Sequence, residues 1–234
     1  MLSEVDSTNA EALRLAPNVA GPEWILGLRQ TKGRGRRGRA WADPVGNFSA
    51  TLLMHPAEAP DQVALRSFAA SLALYDAFAE LGAQGLALKW PNDVLLNGQK
   101  LAGILLESTG RDGRIDALCI GIGVNLIHAP DAVEEGAVPP TSLRAATGQT
   151  ISPEGFLDTL APAYARWEAT FQTHGFAPIR TEWLNRAAKL GEVITARTMR
   201  DTHVGRFDTV DEGGNLVLQT DSGPVSIAAA DVFF

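Results

Sequence analysis

The segment 31–41, TKGRGRRGRAW, concentrates positive charge in a chain that is acidic overall. Residues 29–39 hold six of the 20 lysines and arginines and no acidic residue, whereas the whole chain carries a net charge of -7. Glycines let backbone N–H groups approach a ligand closely, and arginines offer planar, bidentate donors to phosphate or carboxylate oxygens. The pattern predicts a loop that is mobile when empty and closes on a small anion. A solvated, disordered basic loop is the alternative.

This loop does not match the two common phosphate-binding loops. The Walker sequence G-x-x-x-x-G-K-[ST] is absent from it. Gly33, Gly35 and Gly38 have the G-x-G-x-x-G spacing, but arginines stand between them. Trp41, rather than a helix, follows the last glycine, so the segment is not a dinucleotide-binding turn.

A second polar stretch, KWPNDVLLNGQKLAGILLES, covers residues 89–108. Asn92 and Asp93 follow a proline in a pattern typical of turns, and the Asn-Gly pair at 97–98 predicts a β-hairpin. Lys100 begins an apolar strand, so we expect it to point from the strand end toward whatever the sheet edge holds. By themselves these residues favour a surface hairpin with a solvated lysine over a catalytic one.

The composition is that of a folded globular protein, with 234 residues of which 45% are hydrophobic and 20% charged. This length suits one large domain, or one domain with a small appendage. The acidic balance argues against a general nucleic-acid binder, because the phosphate backbone favours overall positive charge. The four histidines are far apart and show no metal-ligand spacing.

Several features of the chain predict a cytoplasmic protein. Cys119 is its only cysteine and lies in an apolar run, so we expect a buried thiol in a reducing compartment. The N-terminus has early acids and no apolar core, unlike a signal peptide. No stretch of about 18 apolar residues could span a bilayer, so we expect no membrane contact.

Hydrophobic periodicity predicts an α+β fold with a mixed or antiparallel sheet. Thr8 and Glu11 form a T-x-x-E capping box, which predicts a helix at 7–16. The tail has short β segments separated by turns and predicts a small β-barrel, which divides the chain into domains 1–188 and 189–234. The other predicted elements are strands at 23–30, 47–54, 86–90, 93–97, 100–108 and 114–126, and helices at 61–82, 153–172 and 177–189.

Five motifs occur in one order along the chain: DSTN (6–9), GRGRRGRAW (33–41), KWPNDV (89–94), KLAGIL (100–105) and GIGVN (121–125). Together they make residues 6–125 resemble the biotin protein ligases, and the long helices and small C-terminal β domain extend the resemblance to nearly the whole chain. The resemblance implies a mixed sheet with helices, as in class II aminoacyl-tRNA synthetases and biotin ligases, followed by a small SH3-like barrel. It implies that biotin and Mg²⁺-ATP are converted to biotinyl-5′-AMP and pyrophosphate. Biotin then passes to a lysine of the biotin carboxyl carrier protein of acetyl-CoA carboxylase or another biotin-dependent carboxylase.

The resemblance also implies roles for individual residues. Lys100 would reach the biotin carboxylate and the α-phosphate, with Arg36 as a second catalytic residue. Trp41 would pack against adenine, and Asp93 would lie near Mg²⁺. The implied biotin-binding residues are Ser7, Thr8, Asn9, Gln30, Arg34, Gly35, Arg36, Lys100 and Gly103. The implied nucleotide-binding residues are Arg34, Arg36, Arg37, Trp41, Lys89, Asn92 and Asn125.

The chemistry of such a reaction agrees with the residues present. A carboxylate and a triphosphate have to meet, so arginines and Lys100 would neutralise their repulsion and stabilise the charge that develops on phosphorus. The substrate carboxylate is itself the nucleophile, so no Ser-His-Asp or Cys-His arrangement is needed. A closed, dry loop would also protect a hydrolysable acyl-adenylate.

Two other functions remain open from the sequence. A lipoate or octanoate ligase or transferase of related fold would share Lys100 but should lack the arginine-rich loop. A non-enzymatic binder of single-stranded nucleic acid would need aromatic stacking platforms. The tail offers only Phe207, Phe233 and Phe234 for that purpose.

Some members of the family carry an N-terminal helix-turn-helix domain and bind DNA as repressors. The DSTN motif begins at residue 6 here, so we expect no such domain and no nucleic-acid partner. The segment VSIAAADVFF at 225–234 has few of the glycines that the family shows there, which weakens the expectation that the barrel helps to close over the nucleotide. A monomer and a homodimer are both compatible with the sequence.

Overall fold

The computed structural model describes residues 1–131 and 137–234, which form two β-sheets with helices around a shared core. The strands of the first sheet are β1 (Glu23–Gly27), β2 (Phe48–Met54), β3 (Leu86–Lys89), β4 (Asp93–Leu96), β5 (Gln99–Arg111) and β6 (Arg114–Val124). Their order is β1-β2-β6-β5-β4-β3, and neighbouring strands are antiparallel. Isolated parallel bridges, such as that between Leu88 and Ala187, extend the sheet. The predicted mixed sheet with helices is confirmed.

The helices lie on both faces of the first sheet. They are α1 (Thr8–Leu15), α2 (Pro60–Ala64), α3 (Arg66–Glu80), α4 (Leu143–Thr147), α5 (Pro153–His174) and α6 (Phe176–Leu184). Helices α3 and α5 pack against each other over the main core. Helix α1 packs on the opposite face, where Ala12, Leu53 and Cys119 belong to a second, smaller cluster. Within the described residues, no helix is long and apolar enough to cross a membrane.

The two-residue period of the central strands separates the core from the face that carries α1. On β2, Phe48, Ala50 and Leu52 join the main core. Ser49 and Thr51 alternate with them and therefore face the other side, although both are buried. The α1 face of the sheet is thus polar at its centre while its opposite face is apolar.

The second sheet is formed by the C-terminal part of the chain. Its strands are β7 (Val193–Arg197), β8 (Thr202–Val210), β9 (Leu216–Thr220), β10 (Gly223–Ile227) and β11 (Asp231–Phe233), in the order β10-β9-β8-β7-β11. All its neighbouring strands are antiparallel, which agrees with the small SH3-like barrel expected there. Trp90 Nε1 donates a hydrogen bond to the Gly214 carbonyl at 3.0 Å and ties this sheet to the first. The division at 188 and 189 stays a prediction.

Several local predictions are confirmed. The chain turns at 97–98 with Asn97 at φ 51° and Gly98 at φ 76°, the left-handed values that a two-residue hairpin of this kind requires. Cys119 is fully buried, and burial raises the pKa of its thiol to about 12. Trp90 and Trp183 are buried in the core.

Three local predictions about helices are wrong. The helix expected at 61–82 breaks at Leu65 into α2 and α3. The helix expected to continue to 189 ends at Leu184, because the chain then extends and Leu88 N donates to the Arg186 carbonyl at 2.8 Å. The predicted capping box does not form either: Ser7 is the N-cap of α1 and no side chain caps the helix. The hydroxyl of Thr8 is used elsewhere, as described below.

Candidate active site

A cavity of about 580 Å³ lies at the α1 face of the first sheet, between the arginine-rich loop and β11. Every predicted site residue except Arg37 lines it. These lining residues are Ser7, Thr8, Asn9, Gln30, Arg34, Gly35, Arg36, Trp41, Lys89, Asn92, Asp93, Lys100, Gly103 and Asn125. The fold therefore brings residues from distant parts of the chain into one cavity.

The register of the first sheet places five of the residues near this cavity in one row. Ser49 on β2 pairs with Gly123 on β6, which pairs with Gly103 on β5. Gly103 pairs in turn with Asp93 on β4, and Asp93 pairs with Lys89 on β3. Antiparallel partners share a face of the sheet. The row therefore runs from a hydroxyl, across two glycines, to an ion pair.

The glycines of this row make room for the Trp41 indole. A Cβ atom at Gly123 would overlap that ring, and one at Gly103 would lie 3.3 Å from Trp41 Cζ3. The indole Nε1 is enclosed and makes no hydrogen bond. Lys100 Nζ lies 5.7 Å from the centroid of the ring. The Trp41 ring thus packs against the glycine backbone of the strands, beside Lys100. There it would form one wall of a site for a planar ligand.

One end of the cavity is formed by neutral side chains that bond to one another. Gln30 Oε1 accepts hydrogen bonds from Thr8 N at 2.8 Å and from Thr8 Oγ1 at 3.1 Å. Thr51 Oγ1 lies 2.9 Å from Thr8 Oγ1 and 2.6 Å from Asn9 Oδ1. Because Thr8 donates its hydroxyl hydrogen to Gln30, its oxygen is left as an acceptor. Asn9 Nδ2 donates to Glu107 Oε2 at 2.8 Å, which fixes the other end of this network.

The arginine-rich loop has a defined backbone. Trp41 N donates to the Gly33 carbonyl at 3.0 Å, and Gly35 N donates to the Arg39 carbonyl at 2.7 Å. Arg37 has φ 56°, in the left-handed region that is uncommon for residues other than glycine. The loop is thus a short hairpin with a tight turn at its tip. Its predicted mobility in the empty protein stays a prediction.

Carboxylates from two distant strands hold the side chains of this loop. Asp231 Oδ2 on β11 lies 2.8 Å from both Arg37 Nη1 and Arg39 Nη2, and Arg36 donates to the Ala230 carbonyl at 3.3 Å. Burial raises the pKa of Asp231, but the hydrogen bond from Arg39 and the charges of the three arginines outweigh it and lower the pKa. Arg34 lies 3.3 Å from Glu107 on β5. The C-terminal sheet therefore contributes directly to the cavity.

Lys100, Asp93 and Lys89 form a charged group at the same end of the cavity as the loop. Lys100 Nζ lies 2.7 Å from Asp93 Oδ1, and Lys89 Nζ lies 3.8 Å from Asp93 Oδ2. Burial lowers the pKa of Lys89, although the charge of Asp93 opposes this. The backbone of Lys100 is held in both directions, since its N–H donates to the Pro139 carbonyl and its carbonyl accepts from Thr141 N. This group can present two ammonium charges to an anion.

The described residues offer little to a resident metal ion. No group of three His, Cys, Asp or Glu side chains within 1–131 and 137–234 could ligate one. Asp93, the predicted neighbour of Mg²⁺, is already paired with two lysines. Magnesium is commonly held by one or two carboxylates together with substrate phosphates. The donor set therefore fits an ion that arrives on ATP and does not fit a resident protein-bound metal.

The two predicted nucleotide-binding asparagines are fixed by backbone groups. Asn125 Nδ2 donates to the Thr141 carbonyl at 3.0 Å, and Asn92 Nδ2 donates to the Ile104 carbonyl at 2.6 Å. Both side chains line the cavity. Their amide groups are thus anchored to the protein, which sets the direction in which each side chain can accept a further bond.

Sequence reasoning missed several residues at the cavity. Asp231 and the segment around it gave no signal beyond a single acid near the end of the chain. Ser49 could have been found, because it alternates with apolar residues on a predicted strand. Glu107 follows Gly103 at an even spacing on another predicted strand. The residues missed are Arg39, Ser49, Glu107 and Asp231.

Comparison with known proteins identifies the class to which this fold and cavity belong. The model of the Biotin/lipoate A/B protein ligase family matches residues 3–125, and that of the Biotin protein ligase C terminal domain matches residues 189–234. The chain belongs to the biotin/lipoate A/B protein ligase family.

Individual relatives match 97% or more of this chain. The Biotin–[acetyl-CoA-carboxylase] ligase of Paracoccus denitrificans is 54% identical over 100% of this chain and 99% of its own length. The Bifunctional ligase/repressor BirA of Bacillus subtilis is 33% identical over 97% of this chain and 71% of its own length. The biotin protein ligase from Aquifex aeolicus, solved in complex with biotin and ATP, superimposes with a TM-score of 0.81 at 27% identity, covering 99% of this chain and 95% of that one.

Proposed function

We propose that this chain catalyses the ATP-dependent attachment of biotin to a lysine of the biotin carboxyl carrier protein of acetyl-CoA carboxylase. First, a carboxylate oxygen of biotin attacks the α-phosphorus of ATP. The bond from that phosphorus to the bridging oxygen breaks, so pyrophosphate leaves and biotinyl-5′-AMP is formed. Then the lysine amine attacks the biotinyl carbonyl, loses a proton, and AMP leaves.

The observation that carries this proposal is that one cavity joins a neutral, hydrogen-bonding end to a cationic end. Ser7, Thr8 and Gln30 line the former, while Lys89 and Lys100 line the latter. Biotin has the same division, with an uncharged ureido ring at one end and a carboxylate at the other. The cavity is also large enough, at about 580 Å³, for a ligand of drug-like size.

The neutral end suits a ring that carries N–H groups. Thr8 Oγ1 gives its hydrogen to Gln30 and is left to accept a bond. A ureido N–H can donate to that oxygen, whereas the dithiolane ring of lipoate has no such donor. A polar site of this kind rejects a ligand that leaves its groups unpaired. This favours biotin over lipoate.

The cationic end suits the meeting of a carboxylate with a triphosphate. Lys100 is held beside Asp93, and its ammonium would reach the attacking carboxylate and the α-phosphate. We assign Lys100 to reducing their repulsion and stabilising the charge on phosphorus, and Arg36 to the same charge from the loop. Fixed positive charges in a partly enclosed site act without the reorganisation that water requires.

The nucleotide would lie between the loop and the sheet. We assign Trp41 to adenine and Asn92 and Asn125 to further contacts with the nucleotide. We assign Arg34, Arg37 and Lys89 to the phosphates. Mg²⁺ would enter with the triphosphate and contribute positive charge there. Closing the loop would exclude water from the acyl-adenylate and so protect it from hydrolysis.

ATP–pyrophosphate exchange with purified protein tests this function directly. Biotin and lipoate are supplied in parallel with Mg²⁺-ATP, and a biotin carrier domain is added afterwards to test transfer. We expect exchange that depends on biotin, followed by labelling of the carrier. Exchange with lipoate alone would establish the alternative, a lipoate or octanoate ligase of related fold. Absence of exchange with either acid would overturn the proposal.

Three accompanying predictions concern the state of the protein in the cell. We expect a cytoplasmic enzyme, active as a monomer or a homodimer, that has no nucleic-acid partner. The net charge of -7 supports the last of these. Sedimentation measures the oligomeric state, and a gel shift at moderate salt with DNA from upstream of the coding sequence tests for operator binding. A discrete protein–DNA complex would contradict the expectation.

A further inference from the structure

The outer face of the second sheet carries exposed apolar side chains. Seven large hydrophobic side chains of the described residues are exposed, and five of the seven lie within 190–234. Val193 on β7 is 67% exposed and Val204 on β8 is 58% exposed. Ile194 and Phe207, which stand at odd spacings from these valines on the same strands, are buried in the core. Because side chains alternate along a strand, the two valines lie on the face that is turned away from the core.

The register of the second sheet makes this outer face continuous with the cavity. Val204 pairs with Thr195 on β7, and Thr195 pairs with Phe233 on β11. Antiparallel partners share a face of the sheet, so one row runs across the three strands. Phe233 lines the cavity, and so does Asp231, which stands two residues earlier on the same face. The outer face therefore begins at the wall of the cavity and extends away from it.

Arginines border the apolar centre of this face. Arg206 on β8 pairs with Val193 and so shares its face. The Arg197 guanidinium lies 4.7 Å from the centroid of the Phe233 ring. The acid beside Arg206 is Asp208, at 3.5 Å in an exposed pair that contributes little in water. Aromatic and arginine side chains are enriched in protein interfaces, so the face suits a partner surface with apolar side chains flanked by carboxylates.

The second step of the proposed reaction sets what this face has to accommodate. A lysine that belongs to a folded carrier domain has to reach the acyl-adenylate in the cavity, so the body of that domain has to rest on the rim. The outer face is continuous with this rim, and a second copy of this chain seated there would obstruct the approach. The chain carries a net charge of -7 and repels acidic proteins at long range. Arginines at the rim would therefore be needed to attract a carrier with acidic groups.

We propose that the outer face of the second sheet, centred on Val193 and Val204, docks the biotin carrier domain during transfer. The matching carrier surface, near its acceptor lysine, has apolar side chains flanked by carboxylates that meet Arg197 and Arg206. This inference rests on the proposed biotin ligase function. It assigns the two valines and Arg206 to the transfer step alone, so the formation of biotinyl-AMP should not depend on them.

Acidic substitutions at the two valines test this assignment. Biotin-dependent pyrophosphate exchange by the unchanged protein first establishes the function independently. We then expect Val204→Asp to raise the KM for the carrier domain of acetyl-CoA carboxylase about tenfold, as for a contact at the centre of an interface, and V193D/V204D to raise it further. Pyrophosphate exchange should stay within about twofold of the original rate, as is usual for an exposed side chain. The same holds for transfer of biotin to hydroxylamine, a nucleophile too small to need a docking surface.

A charge reversal at Arg206 tests the carboxylates expected on the carrier. Arg206→Glu should lower kcat/KM for the carrier about tenfold at low salt, and the difference should shrink at high salt because exposed charges are screened. Val45→Asp is the matched control for the valine variants. Val45 is exposed in the turn before β2 and does not line the cavity, so its substitution should leave the carrier KM unchanged.

Thermal unfolding and sedimentation of each variant separate docking from other roles of the face. An unchanged carrier KM in V193D/V204D would overturn the inference. A parallel loss of exchange and transfer would also overturn it, because that pattern marks damage to the cavity or the fold. If the carrier KM rises only together with the loss of a dimer present in the unchanged protein, the face serves self-association instead. If the valine variants do not fold, Arg206→Glu decides, and an unchanged kcat/KM for the carrier at low salt overturns the docking role.

Discussion

At the neutral end of the cavity most polar side chains bond to one another and only Asn9 reaches a carboxylate, that of Glu107. At the cationic end the charged side chains bond to carboxylates from three separate strands. Thr8, Asn9 and Thr51 form a network within a few ångströms. The lysines and loop arginines instead pair with Asp93 on β4, Glu107 on β5 and Asp231 on β11. Both arrangements join distant parts of the chain, but the first is made mainly of hydrogen bonds between neutral groups and the second of ion pairs.

This difference follows from the ligands that each end would take. A neutral ring is recognised by hydrogen bonds of fixed direction, so the groups that make them have to be oriented before it arrives. Anionic phosphates can replace carboxylates as partners of the same cations. The acids at the cationic end would therefore keep the arginines and lysines satisfied until the nucleotide takes their place.

The largest expected effect is that of removing the Lys100 ammonium. Lys100→Ala should abolish adenylate formation, with a fall of at least about 10³-fold in biotin-dependent pyrophosphate exchange, because carboxylate and phosphate would then repel without a compensating charge. The exchange rate at saturating biotin and ATP measures this. Near-normal exchange would contradict the assignment of Lys100.

A matched control for this variant is Lys32→Ala. Lys32 is exposed at the base of the loop and does not line the cavity. Its removal also takes away one positive charge, so the control separates the local charge of Lys100 from the net charge of the protein. We expect exchange by Lys32→Ala to stay within about twofold of the original rate, as is usual for an exposed side chain.

Much of the structure around Lys100 could be predicted from the sequence, because short segments of the chain determine it. An Asn-Gly turn between apolar runs indicated the hairpin that carries Lys100, and the five motifs indicated most of the cavity lining. The capping box at Thr8 was wrong because Gln30, 22 residues away, takes its hydroxyl hydrogen. Asp231 could not be found, since only the fold brings it to an arginine 194 residues earlier.

The loop itself gives the second prediction. Arg36→Gly should release biotinyl-AMP about 10- to 100-fold faster, as expected from the loss of one charge-assisted hydrogen bond of about 1.5–3 kcal/mol, while the rate of its formation falls less. Escape of preformed biotinyl-AMP into solution measures retention. Arg36→Ala separates the lost charge from added backbone freedom, and Arg29→Ala, at an exposed arginine outside the cavity, is the control. An unchanged escape rate would count against a closing role.

The glycine backbone beneath the Trp41 ring offers a way to perturb nucleotide binding without changing any charged residue. Gly123→Ala would push a methyl group into the indole, so Trp41 has to leave the strand and the predicted adenine wall is lost. We expect the KM for ATP to rise about tenfold, consistent with the loss of about 1–1.5 kcal/mol of aromatic packing. The KM for biotin should change less than the KM for ATP.

Gly21→Ala is the matched control for this substitution. A Cβ atom at Gly21 would have nothing within 4 Å, and the same chemical change there should alter neither KM. Equal rises of the two KM values in Gly123→Ala would mean that Trp41 serves the whole cavity, and the separation into two ends would then fail.

The smallest expected effect concerns the link between the loop and the second sheet. Asp231→Asn removes the charge that pairs with Arg37 and Arg39, so the empty loop should open more often. Because these arginines are partly exposed, we expect only about 1 kcal/mol, or about fivefold, from the lost pairing. The rate of trypsin cleavage at the loop arginines in the ligand-free protein measures the opening, with Asp221→Asn on the exposed turn before β10 as the control.

Acid should reproduce the effect of this substitution, and the sign follows from the pKa of Asp231. Its pKa is lowered in the folded protein, since the arginines outweigh the effect of burial. The pairing is therefore complete above the ordinary range of a carboxyl group and is lost only as pH falls through the lowered value. Between neutral pH and that range, loop opening should be constant in the unchanged protein and about fivefold faster in Asp231→Asn. If both proteins open at the same rate, the second sheet does not hold the loop.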